Sequence, residues 1–369
     1  MAEWYHLDNI DHIDSPALLV YEERVKENIK VLLSMIDNVS RLRPHVKTHK
    51  TREAAILQMQ AGIKKFKCAT IAEAEMLGMV EAPDVLLAYQ PTGPKLQRFI
   101  LLQQKYPATK FSCLTDNLAS AKSIAKASLA NNLETSVYID LNVGMNRTGI
   151  VPGDAAIKLY EEVANLNGIQ LLGLHAYDGH IHTVNLEQRT KECEEAFLPV
   201  ERMQQTLVEK GFDRPVIIAG GSPTFPIHAG RKQVECSPGT FIFWDRGYQT
   251  TCPEQPFKTA ALVISRIVSM PGKNTLCLDL GHKSIASEND LHKRVYFLNA
   301  PDLQFISHSE EHLVAKAPAG HSYKVGDVLY GLPYHICPTV ALYERALLVK
   351  NNEATEEWKI IARDRKISI

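Results

Sequence analysis

No charge of one sign dominates this chain of 369 residues: 41 lysines and arginines face 42 aspartates and glutamates, a formal net charge of −1. A surface built to neutralise phosphodiesters is therefore not expected, and neither is a nucleic-acid partner. No run approaches the roughly 18 consecutive apolar residues that span a bilayer, so no membrane partner is expected. The acidic opening, with Glu3, Asp8, Asp11 and Asp14, lacks the basic stretch and apolar core of a secretory leader. The seven cysteines, at 68, 113, 193, 236, 252, 277 and 337, are odd in number, widely spread and without a C-x-x-C pair. That argues against a disulfide framework and for a reduced, cytoplasmic setting. Internal repeats, low-complexity tracts and a flexible linker are also missing, which excludes solenoids and disordered arrays.

What is present is ordinary globular composition, with enough hydrophobic residues for a sizeable core. At roughly 150 residues per domain the length suits two domains, or one large barrel with an appendage. Ala17–Tyr21 is a short apolar run of the kind buried in parallel sheets. Further runs lie at 41–47, 66–70, 85–89, 110–114, 136–143 and 171–177, and 216–220 makes the eighth. Segments of helical period separate them, at 52–61, 71–80, 119–129, 155–166 and 185–210. Strand and helix in alternation predict a (β/α)8 TIM barrel over residues 12–255, with a doubly wound open sheet as the rival. Past 255 the strand-like pieces follow one another without helices. Residues 256–369 are expected to form an all-β domain, with residues 1–11 packed on it.

Reactive groups of such barrels gather at the carboxyl ends of the strands. The second run ends Arg43-Pro44-His45-Val46-Lys47-Thr48-His49-Lys50. Strand alternation puts Arg43, His45 and Lys47 on one face and aims Lys47 into the barrel mouth. A confined lysine there is a candidate imine-forming nucleophile, against the plainer reading of a solvated basic stretch. Gly220-Gly221-Ser222 after the eighth run, and Ser237-Pro238-Gly239-Thr240 after it, are candidate phosphate loops. Arg147, in Asn142-Val143-Gly144-Met145-Asn146-Arg147, is placed near the same mouth. Tyr177-Asp178-Gly179-His180-Ile181-His182 holds two candidate bases, His180 and His182, which are otherwise hydrogen-bonded loop residues. Late in the chain His335-Ile336-Cys337 sets an imidazole and a thiol on one face of an extended segment. That pair suits Zn²⁺, although a buried cysteine beside a satisfied histidine is the commoner outcome.

Taken in order, DSPALLVY, RPHVKTHK, NVGMNRTG, LHAYDGH, AGGSPTFP and HICPTV resemble the D-threonine aldolase and D-serine dehydratase family of fold type III pyridoxal phosphate enzymes. The resemblance runs over nearly the whole chain. It implies an alanine-racemase-type barrel followed by a β domain, a homodimer, and pyridoxal 5'-phosphate held as an imine by Lys47. It implies further that Arg147 lies near the phenolic oxygen, that Tyr177 lines the ring, and that Gly220, Gly221 and Ser222 are close to the phosphate, with Gly239 and Thr240 in the loop beyond. His335 and Cys337 would hold a divalent metal, zinc or manganese, beside a substrate hydroxyl. His282 or Lys283 would reach the partner subunit's site, against the plainer reading of a turn with one exposed lysine.

The implied chemistry is lyase action on a β-hydroxy-D-amino acid. Members similar to the aldolase more often carry Asp where this chain has Cys337, and dehydratase-type members carry Cys. That favours β-elimination to an oxo acid and ammonia over retro-aldol cleavage to glycine and acetaldehyde. A racemase would need a second base and no metal, and a non-catalytic pyridoxal phosphate carrier would resemble the barrel alone.

Overall fold

The computed structural model describes residues 3–369. Two compact units divide the chain. One contains Leu32–Lys47, Ala54–Gly239 and Asp364–Ile369; the other contains the segment ending at Val31, Thr48–Glu53 and Thr240–Arg363.

The first unit is built on seven parallel strands in consecutive order: β2 (Lys65–Cys68), β3 (Asp84–Leu87), β4 (Lys110–Thr115), β5 (Thr135–Leu141), β6 (Ile169–Ala176), β7 (Val216–Ala219) and β8 (Val234–Cys236). β5 is buried along its whole length, as expected of a strand covered on both faces. Helices connect the strands, among them Arg52–Gln60, Ile71–Met79, Leu118–Ala130, Asp154–Ala164 and Leu186–Glu209, close to the spans read from apolar periodicity. The ring closes through the segment 42–45. Leu42 bridges Cys236 of β8 and His45 bridges Lys67 of β2, both in parallel sense. Only bridges form there because Pro44 has no N–H to give to a ladder, though its carbonyl accepts from Lys67 N at 2.9 Å. Leu86, Leu114, Tyr138 and Ile218 make an apolar layer inside.

Beneath the site, Arg43 is fully buried. Its guanidinium donates to both oxygens of Asp84, at 2.6 and 3.0 Å, and to Glu235 at 2.8 Å. Burial opposes the charge on Arg43, and the carboxylates of Glu235 and Asp84 more than restore it, raising its proton affinity above the ordinary arginine value.

The second unit carries a nine-stranded, mostly antiparallel sheet running β12-β13-β10-β9-β1-β15-β16, with β14 and β11 branching from β9. Its strands are β1 (Ala17–Tyr21), β9 (Ala261–Gly272), β10 (Thr275–Leu278), β11 (Val295–Phe297), β12 (Gln304–His308), β13 (Leu313–Lys316), β14 (Val328–Pro333), β15 (Arg345–Lys350) and β16 (Glu353–Lys359). Tyr5, Leu7, Ile13, Leu19, Leu262, Ile264 and Leu332 belong to one apolar cluster on this sheet, and the Tyr21 hydroxyl donates to the Tyr5 carbonyl at 2.8 Å.

Two expectations about the strands are corrected. Ala17–Tyr21 is not the first barrel strand: it pairs in parallel with β15 and antiparallel with β9. A short apolar run suits any buried sheet, and periodicity does not say which. The eighth barrel strand is instead Val234–Cys236, only three residues with Glu235 in the middle. The apolar alternation that marks longer strands has no room to show there.

Candidate active site

Within the barrel unit a cavity of 240 Å³ opens among Lys47, Lys67, Tyr89, Arg147, His175 and Tyr177. Lys47 does not sit on a strand, as alternation had suggested. It lies in a one-turn 3₁₀ segment, Val46–Thr48, just past the bridge at His45. Its amine nonetheless faces the cavity, 5.9 Å from the centroid of the Tyr177 ring. The guanidinium of Arg147 stands 5.1 Å from the same centroid and the Lys67 amine 5.4 Å. Three basic side chains around one aromatic ring make a site for an anionic, planar ligand.

The glycine loops lie at adjoining strand ends. Gly220-Gly221-Ser222 follows β7 and Ser237-Pro238-Gly239 follows β8, where barrels commonly take phosphate. Gly220 has φ +79°, and a Cβ there would come within 2.7 Å of His228 Cδ2; on Gly221 a Cβ would meet the Tyr177 ring at 3.3 Å. The Ser222 hydroxyl accepts from Gly239 N at 3.3 Å, tying the two loops together. The Ser237 hydroxyl is buried and has no hydrogen-bond partner in the protein. An orphaned donor beside a backbone bare of Cβ atoms fits a phosphate oxygen. Pyridoxal phosphate therefore suits the residues present.

Asp178 fixes this loop from behind. It accepts from the Thr224 hydroxyl at 2.9 Å and pairs with His228 Nε2 at 2.8 Å, while Thr224 Oγ1 accepts from Gly221 N at 3.3 Å. Burial raises the Asp178 carboxyl pKa, but the His228 and Thr224 hydrogen bonds outweigh it and hold the group below its usual value. With Cys193, Asp178 and His228 form a group of three potential metal donors within 4.8 Å of one another. Arg231 Nη1 is 3.1 Å from His228 Nδ1, so a cation there would face a guanidinium. Internal hydrogen bonding accounts for the cluster.

Neither His180 nor His182 lines the cavity. His182 is exposed. The His180 ring lies over Gly144, where a Cβ would be 2.5 Å from Nε2, and its Nδ1 is buried without a partner. What sequence reasoning missed is a polar file inside the barrel. Asp140 and His175 are register partners on β5 and β6, joined at 2.7 Å through Nδ1, and His175 Nε2 is 3.3 Å from Lys67 Nζ.

In the second unit His335 caps the helix Ile336–Leu342. His335 and Cys337 are thus not on one extended segment, as the spacing had suggested: β14 ends at Pro333 and the chain turns helical at Ile336. The two side chains still interact. Burial lowers the proton affinity of His335, but the hydrogen bond and charge of Cys337, with Asp245 and Glu288, raise its pKa to about 9. The Cys337 sulfur is 3.1 Å from the Thr48 hydroxyl and 3.7 Å from that of Thr240. Thr240 therefore stands with the thiol in this unit. An imidazole and a thiol with carboxylates around them match the donor chemistry of zinc. Lys283 pairs with Glu310 at 2.6 Å and Glu311 at 3.1 Å of its own chain, and His282 packs edge-on against His308.

Residues 20–246 match the family described as alanine racemase, N-terminal domain, and residues 260–349 match a putative serine dehydratase domain. A D-threonine aldolase of Arthrobacter sp. is 25% identical over 96% of this chain and 94% of its own. The D-threo-3-hydroxyaspartate dehydratase of Delftia sp. is 22% identical over 95% and 98%. Solved structures of that dehydratase include variants with alanine for a histidine and for a cysteine two positions later, the cysteine variant in a metal-free form. The structure of D-threonine aldolase from Filomicrobium marinum superposes with a TM-score of 0.88 at 23% identity, covering 98% of each chain. The chain belongs to the alanine-racemase barrel family, in the branch of the D-threonine aldolases and D-serine dehydratases.

Proposed function

We propose that the protein is a lyase dependent on pyridoxal 5'-phosphate and a divalent metal, and that it dehydrates a β-hydroxy-D-amino acid of the D-serine or D-threonine type to an oxo acid and ammonia. Lyase action on this substrate class is common to the named relatives. The observation that carries the finer reading is the interacting pair His335 and Cys337, whose thiol is a firm ligand for zinc. The spacing of that pair equals the spacing of the histidine and cysteine replaced in the Delftia dehydratase.

Lys47 supplies the amine for the cofactor aldehyde and, when released, holds the substrate's α-proton on Nζ. Arg147 and Tyr177 keep the ring in place, and the loops of Gly220, Gly221, Ser222 and Gly239 take the phosphate, with the unpaired Ser237 hydroxyl as a donor. When bound, the cofactor supplies an electron sink for the bond that breaks at the substrate's α-carbon. A zinc or manganese ion on His335 and Cys337 would supply Lewis acidity for a hydroxyl oxygen. A homodimer is the assembly that accompanies this reading.

Aldol cleavage is the second reading, favoured by the 25% identity to the Arthrobacter aldolase. Purified protein incubated with pyridoxal phosphate, Zn²⁺ or Mn²⁺, and either D-serine or D-threonine separates the two. Pyruvate or 2-oxobutyrate supports dehydration, and glycine with acetaldehyde supports the aldolase. The L-isomer alone would make the protein a racemase and retire both.

Cys337→Ala and His335→Ala are expected to lose bound metal, measured by elemental analysis, together with turnover, while the cofactor absorbance stays. Full metal content in both variants would rule out this pair as the site.

A further inference from the structure

Lys67 is a lysine where a barrel strand ordinarily carries an apolar residue. It is 2% exposed, and its register partner on β3 is Leu86 of the apolar layer. Its hydrogen-bond partner is an imidazole and not a carboxylate: Nζ lies 3.3 Å from His175 Nε2. Burying an ammonium without a directly bonded counter-ion is costly, and a strand this well packed has no structural need of it.

The hydrogen bonds give the amine a direction. His175 Nδ1–H donates to Asp140 at 2.7 Å, which leaves the Nε2 lone pair to accept an N–H from Lys67. A neutral Lys67 then spends one N–H on His175 and keeps its own lone pair for the cavity it lines. Lys47 Nζ and Lys67 Nζ approach the same Tyr177 ring, at 5.9 and 5.4 Å.

We propose that Lys67 is a second reactive amine of the cofactor cavity, which takes a proton from the ammonium group of the incoming amino acid and later gives it to the nitrogen of the departing product. The inference rests on the pyridoxal phosphate reading given above. In the first transfer an N–H bond of the substrate ammonium breaks, its electron pair stays on that nitrogen, and an N–H bond forms at Nζ of Lys67. In the second the same proton moves from Lys67 Nζ to the nitrogen of the departing product, which restores neutral Lys67 and leaves Lys47 Nζ free for the α-proton. Charge is conserved and no oxidant or reductant is needed.

The surrounding charges suit the task. Burial pushes the Lys67 pKa down, and the cations of Lys47 and Arg43 push the same way; the carboxylates of Asp140 and Asp178 oppose them, and the balance falls at about 7. Burial and the Lys67 charge likewise lower the proton affinity of His175, which keeps its ring neutral as an acceptor. Arginine at position 67 would keep a charge and could not release it.

The test has two arms. In the cofactor-free protein, trace acetylation with acetic anhydride from pH 5 to 10, quantified by peptide mass spectrometry, is expected to give Lys67 a midpoint near 7, against about 10.4 for solvent-facing lysines. In the pyridoxal phosphate-loaded protein, the spectral change on adding D-alanine is expected to accelerate as pH rises through about 7. In Lys67→Arg it should be on the order of 10²-fold slower and flat with pH, with the borohydride-fixed label still on Lys47. An ordinary lysine midpoint, no acetylation of Lys67 at all, or an unchanged pH profile in Lys67→Arg would each overturn the proposal. A midpoint near 7 with no borohydride label on any lysine would retire the cofactor reading and the transfer with it, leaving only the acidic amine.

Discussion

Lys47→Ala is expected to produce a folded protein that has no covalent cofactor absorbance and no borohydride-fixed label on the peptide spanning residue 47. The side chain is only half-buried and ends in the cavity, so its truncation removes no atom from the apolar layer of Leu86, Leu114, Tyr138 and Ile218. Melting behaviour should therefore stay close to that of the parent. Turnover should not: proton transfer by a positioned amine contributes on the order of 10²–10⁴-fold, and the covalent hold on the cofactor is lost as well. The loops around Gly220, Gly221 and Gly239 remain, so pyridoxal phosphate should still bind as a reversible ligand with the spectrum of the free aldehyde. A label found on the Lys67 peptide of the parent protein would show that the wrong amine had been assigned.

That two lysines face one ring was only half legible in the sequence. Lys47 announces itself because it lies within a run of basic residues that follows an apolar stretch, and the loops near Gly220 and Gly239 announce themselves by composition. Lys67 is silent in Phe66-Lys67-Cys68, because a four-residue strand offers too few positions to show that one of them breaks the apolar rule. Asp140 and His175 are similar: each is a titratable residue near the carboxyl end of its strand, a signal that reads as function only once both are known to point inward. The mouth of the barrel was therefore found from loops, while its polar interior needed the register of β5 on β6.

The His335 and Cys337 pair shows the opposite case. The spacing located two interacting donors even though the local conformation was read as extended and is the start of a helix. Position i and i+2 can meet across a strand-to-helix turn as well as along a strand, so a right pairing followed from a wrong geometry. For His180 and His182, proximity in sequence to Tyr177 was no guide. Beyond Ala176 the chain leaves the strand, and alternation no longer says where a side chain goes.

Arg43→Met should cost about 3–5 kcal/mol of folding stability, a large share of the roughly 5–15 kcal/mol that a native domain possesses. Arg43 satisfies both oxygens of Asp84 and one of Glu235 from a fully buried position. Removing it leaves those carboxylates facing the barrel interior, with Lys65 as the remaining cation on Glu235. Arg43→Lys should recover only part of the loss, since an ammonium cannot reproduce the two-pronged contact with Asp84. The triple replacement Arg43→Met, Asp84→Asn, Glu235→Gln should lie closer to the parent than Arg43→Met alone, because the penalty arises from unpaired charge rather than from lost bonds. Urea denaturation of the three variants measures this directly, and a loss under 1 kcal/mol for Arg43→Met would show the cluster to be solvated. Arg43 also stands four residues before Lys47, and its N–H bonds the Cys236 carbonyl that closes the ring. Loosening the cluster should thus appear first as weaker cofactor binding, at urea concentrations below the unfolding midpoint.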